Sequence, residues 1–346
     1  MRNKKIIIRK VLKKDFLLLA EYLSKEALPK YSSSQYSRRF KFWWLENPAF
    51  KKNDSYGWII FDDNKKKKIK GFLGNIPADY KINSKIYHTV SASTWVVNPK
   101  YRRYSIYLYF SFLKQKKDLF LNSTPANITN YIFTKTNFID IAKLQDNFVC
   151  LVSDRPIYYL FKKLLRSDYI SIVLSKLTFL FYQFLFIVKS DIKKLNIKYQ
   201  IVSNLVEIEK LLKNKRVKLM NFDWVIKADP NKHFIKILNR NKSNNFIYIQ
   251  YVDNPVNKLK FVQVLETDIV CADLIKKIVF KIALKYNYSL DYIIIHNKKL
   301  RSLLYGSFIK FNILSESKCL IKSDKFNVKN IVPNGTFGEK GFIIWN

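Results

Sequence analysis

Apolar residues follow two different periods in the first half of the chain. Residues 13–28 repeat them at the three- and four-residue spacing of a helix that packs on one face. Residues 69–82 and 85–97 are rich in β-branched and aromatic side chains, and Asn83-Ser84 between them predicts a hairpin turn. The full prediction is strands at 5–12, 56–61, 69–82, 85–97, 118–123 and 140–152, and helices at 13–28, 32–47, 103–116 and 125–138. An antiparallel meander that continues into β-α-β crossovers predicts an α/β fold, a mixed sheet with helices on both faces.

The second half of the chain repeats the apolar and polar pattern of the first half. Phe42–Pro48 is similar to the stretch from Phe222 to Pro230, and Thr136–Ile139 is similar to Gly306–Ile309, in the same order. This favours two diverged copies: an N-terminal domain (1–153), a helical linker (154–192) and a C-terminal domain (193–346). The elements predicted in the second copy are helices at 206–212, 216–226, 273–285 and 297–305, and strands at 235–238, 246–252, 259–265, 292–296 and 311–320.

The segment 155–189 differs from both halves. Residues 155–166 predict an amphipathic helix, and residues 169–188 are nearly all apolar, long enough to just span a bilayer. Lys176 would be costly inside a membrane, so a helical hairpin that is buried or lies at an interface is favoured over a span. If the hairpin is exposed, its basic neighbours favour an anionic membrane face. These neighbours are Lys162, Lys163, Arg166 and Lys189.

The charge of the chain is strongly positive. With 63 Lys and Arg against 26 Asp and Glu in 346 residues, the formal net charge is +37. One interpretation is attraction to nucleic acid, anionic lipid or a polyanionic substrate. The other is compositional drift, because Lys, Asn, Ile, Phe and Tyr are enriched together and the lysines are spread along the chain. Drift is favoured over a dedicated polyanion site, although weak association with anionic surfaces is expected in either case.

Cysteine and histidine are sparse. Cys150, Cys271 and Cys319 are widely spaced, which argues against a disulfide framework or a zinc site and favours a reducing, cytoplasmic compartment. The histidines lie far from one another and from carboxylate clusters, so no metal is expected. The basic N-terminus has too short an apolar segment for a signal peptide. Residues 155–189 leave open whether the protein contacts the inner face of the membrane.

Two stretches carry a family resemblance. VVNPKYRRYSIYLYFSFLKQKK (96–117) and STPANITNYIFTKTNF (123–138), in this element order, resemble the GNAT superfamily of acetyl-CoA-dependent N-acyltransferases. The resemblance covers about 4–152 and, more faintly, 200–325, and implies two GNAT-like domains, each a mixed, mostly antiparallel sheet flanked by helices. In that family a strand offers its backbone to pantetheine, and a turn of the form R-x-x-G-x-G/A holds the pyrophosphate at a helix N-terminus. The implied coenzyme residues are Trp95, Val96 and Val97 on the strand, and Arg102, Arg103, Tyr104, Ser105, Ile106 and Tyr107 in the turn.

Several positions depart from the family pattern. Ser105 and Tyr107 replace the two turn glycines, and Phe133 stands where the family often has a tyrosine that protonates the departing thiolate. Ser91 and Ser93, with Thr94, occupy the strand where a glutamate base is common. The candidate catalytic residues that remain are Asp79 and His88 on neighbouring strands, acting through a water, and Tyr131 on the later helix.

The resemblance implies transfer of an acetyl or acyl group from coenzyme A to an amine. An amino sugar used in surface-polysaccharide synthesis is the acceptor expected from two-domain members of the family. A second enzymatic hypothesis is a Fem-type transferase that takes its acyl group from a charged tRNA, which the positive charge would suit. A third is a binding module for a polyanion, a glycan or a membrane-associated partner, which has lost its catalytic groups. The sequence leaves the oligomeric state open.

Overall fold

The fold is given by a computed structural model of the chain. The residues that it describes are 6–27, 31–63, 68–122, 127–141, 147–187, 198–212, 217–220, 224–226, 229, 231–238, 245–254, 258–269, 271–296, 309–310, 319–325 and 327–328.

Fifteen strands are present in the described part of the chain. They are β1 (Ile6–Lys10), β2 (Gly57–Asp62), β3 (Lys68–Ile82), β4 (Lys85–Val97), β5 (Leu119–Asn122), β6 (Ile139–Asp140), β7 (Asn147–Leu151), β8 (Lys198–Val202), β9 (Val217–Leu219), β10 (Lys232–Leu238), β11 (Phe246–Asp253), β12 (Lys260–Thr267), β13 (Tyr292–His296), β14 (Ile309–Lys310) and β15 (Leu320–Lys322).

The structure gives the bounds of eight α-helices, and residues 224–226 are helical as well. The eight are α1 (Phe16–Glu26), α2 (Ser33–Phe40), α3 (Ser105–Leu113), α4 (Asn127–Lys135), α5 (Arg155–Leu165), α6 (Asp168–Ile187), α7 (Leu205–Leu211) and α8 (Ala272–Lys285).

The strands form two mixed sheets with the same internal order. The first runs β1-β2-β3-β4-β5-β15-β6, with β9 added beside β3. The second runs β8-β10-β11-β12-β13-β7-β14. In each sheet an antiparallel meander leads through one helix, α3 or α8, into a parallel strand, β5 or β13. The α/β prediction of two mixed, mostly antiparallel sheets flanked by helices is therefore confirmed.

The two sheets exchange strands. β15, from the C-terminal end of the chain, lies between β5 and β6 of the first sheet. β7, from the first half of the sequence, pairs with β13 in the second sheet. Neither sheet is therefore built from one half of the sequence alone, and the domain boundaries at 153 and 193 stay a prediction.

One hydrophobic core joins the two halves. The helices α1 and α2 pack their apolar residues against β3, and the same cluster contains Phe234 and Tyr248 from the second sheet. α2 continues into a wider turn at Lys41–Leu45, which buries Phe42, Trp43 and Trp44 in this core. A separate cluster on the other face of the first sheet holds α3 and α4. The predicted helix at 32–47 is thus present, and its tryptophans are core residues.

Two sequence predictions were wrong about local structure. The single strand expected at 140–152 is two short strands, β6 and β7, which belong to different sheets. Where one helix was expected at 216–226, residues 217–219 form β9, which pairs with the end of β3, and the helical residues described in this range are 224–226. In both places the partner strand comes from the other half of the chain, so local periodicity carries no signal of it. The helix predicted at 297–305 and most of the strand predicted at 311–320 lie outside the described residues.

The hairpin predicted after residue 154 is present as α5 and α6. Arg155 at its start pairs with the buried Asp291 of the second sheet at 3.2 Å. Tyr182 of α6 accepts a hydrogen bond from the Leu151 N–H at 3.1 Å. Within the described part of the chain, no helix is long and apolar enough to cross a membrane.

Candidate active site

A β-bulge interrupts the pairing of β4 with β3. Gly74 is opposite Ser93 and Phe72 is opposite Val96, so β4 has one extra residue in this interval. Thr94 takes up the difference with a left-handed backbone angle, φ +50°. Such a bulge bends its strand and redirects the residues that follow. Here it sets the direction of β4 as the strand leads into α3.

Beyond the bulge, no strand among the residues that the structure describes pairs with the other edge of β4. Parallel pairing with β5 is confined to Thr89–Ser91, opposite Leu119–Leu121. Thr94–Val97 continue the strand, and in the described part of the chain Val96 and Val97 pair with β3 only. All four residues are partly exposed. These residues present backbone donors and acceptors along an edge that β5 does not cover. They include Trp95, Val96 and Val97, the three positions that the sequence predicts for pantetheine.

One acceptor on this stretch already has a partner. The Tyr22 hydroxyl of α1 donates a hydrogen bond to the Val96 carbonyl at 3.4 Å. Burial raises the pKa of Tyr22 well above its usual value, so the hydroxyl keeps its proton at neutral pH. The sequence does not single out Tyr22, because a tyrosine in a helix of this kind is expected only to pack in the core.

The basic turn after β4 is a short 3-10 helix, Pro99–Tyr104. The Asn98 side chain caps it by accepting from the Lys100 N–H at 3.2 Å. At its end the Ser105 N–H donates to the Arg102 carbonyl, so this amide is engaged within the turn. The turn therefore offers fewer free N–H groups to an anion than an open glycine-rich loop would.

The two arginines of the turn differ in their surroundings. The Arg103 guanidinium donates to the Tyr104 hydroxyl at 2.9 Å and lies over the same ring. Arg102 is exposed and makes no hydrogen bond or ion pair with any residue that the structure describes. Its guanidinium is therefore the group of this turn most readily available to a phosphate.

Tyr107 and Ile106 lie in the first turn of α3. Ile106 packs against the cluster under the sheet, whereas the Tyr107 ring is 55% exposed. A helical side chain covers the turn that precedes it. Tyr107 is thus placed beside the basic turn, where a small residue would leave more room.

Aromatic rings fill the space beneath the open strand. The Trp95 ring stacks on Tyr109 of α3 at 5.6 Å between centroids and meets the edge of Phe133 of α4 at 6.2 Å. The Tyr109 hydroxyl is hydrogen-bonded to the Thr136 hydroxyl. The Trp95 indole N–H is buried without a hydrogen-bond partner among the described residues, an arrangement that costs free energy unless a ligand or water accepts from it.

At the position of α4 where the family often has a proton-donating tyrosine, this chain has Phe133. Phe133 is fully buried, and it contacts Phe138 as well as Trp95. Tyr131, the candidate on the same helix, is 64% exposed, with its ring near the Lys135 ammonium. A catalytic role of Tyr131 stays a prediction.

Asp79 and His88 do lie together, as the hairpin predicted. His88 Nδ1 is 2.7 Å from the Asp79 carboxylate, and the Lys51 ammonium is 2.8 Å from the same ring nitrogen. Six residues of strand separate His88 from Thr94, which is about 20 Å at about 3.3 Å per residue. The pair is thus remote from the bulge and the basic turn.

His88 instead lines a cavity of 620 Å³ below the C-terminal end of α3. Asp54 is held there by the ammonium of Lys117 at 2.6 Å, and both of these side chains are almost completely buried. The surroundings are strongly cationic, since five lysines line the cavity. They are Lys10, Lys51, Lys114, Lys116 and Lys117.

A buried polar cluster in the second sheet was not predicted from the sequence. The Gln250 amide donates to the Asp229 carboxylate at 2.8 Å, and His233 Nε2 is 3.0 Å from the Tyr288 hydroxyl. Burial lowers the pKa of Lys232 to about 8 and that of His233 to about 4. The sequence does contain a signal for this cluster. Lys232 and His233 follow Asp229 at the start of a strand, so charged residues stand where a core strand would have apolar ones.

Among the residues that the structure describes, no group of three or more His, Cys, Asp or Glu side chains is arranged to hold a metal ion. Cys150 and Cys319 are buried and Cys271 is exposed, and all three are free thiols.

Comparison with known proteins identifies the fold. No protein-family model and no curated protein sequence matches the chain. A solved GCN5-related N-acetyltransferase from Anabaena variabilis matches 92% of this chain and 73% of its own, with a TM-score of 0.54 and 11% identity. One from Kribbella flavida matches 92% and 71%, with a TM-score of 0.54 and 7% identity. A protein from Pyrococcus horikoshii matches 96% and 93%, with a TM-score of 0.55 and 12% identity. The chain has the GNAT fold, as the sequence resemblance predicted.

Proposed function

We propose that the protein is an N-acyltransferase that binds an acyl-coenzyme A along the open edge of β4 and transfers the acyl group to an amine. The observation that carries the proposal is the bulge at Thr94 together with the loss of β5 pairing beyond Ser91. These two features leave an uncovered strand edge that leads directly to a basic turn. The GNAT fold supports the same assignment.

The exposed residues suit the two ends of such a ligand. The strand edge Thr94–Val97 can pair with the amide groups of pantetheine, as an added strand would. The Arg102 guanidinium can pair with pyrophosphate oxygens through charge-assisted hydrogen bonds. The backbone amides of the turn contribute less, because the 3-10 helix engages the Ser105 N–H. We therefore expect weaker coenzyme binding than a glycine-rich turn would give, with more of it dependent on Arg102.

Calorimetric titration with acetyl-CoA tests the proposal. Arg102→Ala should weaken binding about tenfold, the scale of one charge-assisted hydrogen bond. Lys25→Ala removes a positive charge from the exposed end of α1 and should leave the affinity unchanged. Tyr107→Gly should strengthen binding, because it clears the space beside the turn.

Absence of saturable binding at millimolar acetyl-CoA would refute the coenzyme assignment. An equal loss of affinity in Arg102→Ala and Lys25→Ala would show that the effect comes from net charge and not from a contact of Arg102. If Tyr107→Gly changes nothing while Arg102→Ala weakens binding, the ligand uses the arginine but does not enter beside α3.

The proposed acceptor is a primary amine. The family resemblance makes an amino sugar the first compound to test. Release of free coenzyme A thiol on addition of glucosamine, measured with a thiol reagent, supports that class. Transfer from aminoacyl-tRNA, with salt-sensitive tRNA binding and no thiol release, would favour the Fem-type hypothesis.

A second candidate is a non-catalytic binding module on the same fold. Phe133 occupies the core where the family often has its acid, and Asp79 and His88 lie about 20 Å from the bulge. Thr94 and Ser93 share a hydrogen bond of 3.1 Å but include no group that titrates near neutral pH. Saturable coenzyme binding without turnover on any amine would select this candidate.

A further inference from the structure

The helix α6 buries two serines and a tyrosine, whereas most of its large apolar side chains are exposed. Ser171 and Ser175 are completely buried, and Tyr182 is nearly so. Its apolar side chains are exposed to solvent, with Tyr169 at 79% and Phe181 at 63%. A helix on the surface of a water-soluble protein has the opposite arrangement.

The inward face needs no further partner. The Ser175 hydroxyl donates to the Ile172 carbonyl at 2.9 Å, and the Ser171 hydroxyl donates to the Ser167 carbonyl at 2.5 Å. Tyr182 anchors the helix on β7 through the Leu151 N–H. Small, internally bonded serines let the backbone of α6 approach the protein closely, so the orientation of the helix is fixed by its docking.

The outward face is continuous from Tyr169 to Phe181. At about 100° per residue, six exposed apolar residues lie within an arc of roughly 120°. The buried Ser171, Ser175 and Tyr182 centre roughly 160° away from the middle of this arc. The six are Tyr169, Ile170, Val173, Leu177, Leu180 and Phe181. We call this set the α6 apolar face. A contiguous exposed patch of this kind marks an interaction surface.

Exposed positive charge surrounds the apolar face. Lys163 and Arg166 lie at the end of α5, directly before α6, and both are exposed. Lys176 is exposed on α6 itself, at roughly 80° from the centre of the apolar arc. A lysine there can extend its ammonium past the apolar residues to a polar boundary. Apolar side chains framed by cations match the surface of an anionic bilayer, where acyl chains lie beneath negative headgroups.

A second copy of the chain fits this face less well. Two copies would bring the same lysines and arginine together, each on a molecule of net charge +37. Like charges opposed at an interface cost affinity. An anionic lipid surface meets both the apolar and the charge requirement.

We propose that the α6 apolar face binds an anionic lipid bilayer, with α6 lying in the plane of the interface and the two sheets remaining outside it. α6 is about 30 Å long, and Tyr182 holds it against β7, so it lies on the membrane rather than across it. The proposal is independent of the acyltransferase assignment.

Flotation of the full-length protein with vesicles tests it. The protein should float with equimolar phosphatidylcholine and phosphatidylglycerol, and much less with phosphatidylcholine alone. Leu177→Asp/Phe181→Asp should abolish flotation, since it places charges in the apolar face. Leu284→Asp, at a leucine that is 77% exposed on α8, is the matched control and should float like the unaltered protein.

Charge reversal separates the electrostatic part. Lys163→Glu/Arg166→Glu/Lys176→Glu should reduce the partition coefficient on anionic vesicles by about two orders of magnitude or more, because each residue contributes about fivefold. Circular dichroism and the thermal transition show whether each variant is folded. Lys81→Glu, on the exposed part of β3, controls for a change of net charge.

Three outcomes would overturn the proposal. One is a folded Leu177→Asp/Phe181→Asp variant that floats like the unaltered protein. Another is equal binding to neutral and anionic vesicles. The third is a dimer that this variant dissociates, with no vesicle binding by the unaltered protein, which would assign the face to a second copy.

Discussion

At the scale of single residues, Phe133 and Tyr107 depart from the pattern of the GNAT family at the candidate site. Phe133 removes a hydroxyl from the core beside Trp95, and Tyr107 adds a ring beside the basic turn. Arg102 keeps the position and exposure that an anion requires. Trp95–Val97 lie on β4, Arg102–Tyr104 lie in the turn, and Ser105–Tyr107 begin α3. Their role in binding stays a prediction.

His233 gives a pH dependence of stability. Burial lowers its pKa to about 4, below the ordinary value near 6.5, so the unfolded chain binds more protons between these two pH values. The free energy of unfolding should therefore decrease as pH falls through that window. His233→Phe should flatten the decrease, as measured by urea unfolding at several pH values.

His88→Gln serves as the control, because His88 is 45% exposed in its side chain and should contribute little to folding stability. A slope between pH 6.5 and 4 that His233→Phe leaves unchanged would contradict the assignment to this histidine.

At the scale of elements, most strands and helices were predictable because their apolar periods are strong. The hairpin of β3 and β4 turns at Asn83 and Ser84, both with positive φ, as the sequence indicated. The failures came where pairing is non-local: β9 and β7 each take a partner from the other half of the chain. A segment of three to five residues has too weak a period to reveal such a partner.

Gly57, at the start of β2, is a position where the element depends on one residue. Its φ is +132°, and a Cβ there would lie 2.3 Å from the Leu73 carbonyl oxygen. Gly57→Ala should therefore lower the free energy of unfolding by about 2 kcal/mol or more, measured by chemical denaturation.

Gly71→Ala on β3 is the matched comparison. A Cβ at Gly71 meets the end of the flexible Ile60 side chain at 2.6 Å, and its backbone angle is ordinary. The loss should be smaller than for Gly57→Ala, because a side chain can move and a carbonyl in a ladder cannot. Equal losses would show that backbone strain at Gly57 is unimportant.

At the scale of the whole molecule, the exchange of β7 and β15 makes the two halves interdependent. Ser323 and Lys325, just after β15, bind the backbone carbonyl and the carboxylate of Asp118, respectively. The Lys325 ammonium and the His88 N–H outweigh the effect of burial and lower the pKa of Asp118. These two contacts therefore hold the segment after β15 against the start of β5 in the first sheet.

A fragment of residues 1–153 should consequently fail to fold cooperatively. It lacks β15, which separates β5 from β6, and it leaves β7 without β13. Near-ultraviolet circular dichroism and a thermal scan provide the measurement. Co-expression of 1–192 with 193–346 should restore a complex with both sheets. A fragment 1–153 with a sharp thermal transition of its own would contradict this view.

The sequence by itself determined the α/β order, the β3–β4 hairpin, the basic turn after β4 and the helical hairpin at 155–187, because local periods and capping residues encode each of them. The GNAT fold was expected from the resemblance of two stretches to that family. Tertiary structure alone decided the strand exchange, the opening of β4 beyond Ser91, the distance of Asp79 and His88 from that opening, and the outward direction of the α6 apolar face. These features depend on which distant segments meet, and no pattern within one segment records that.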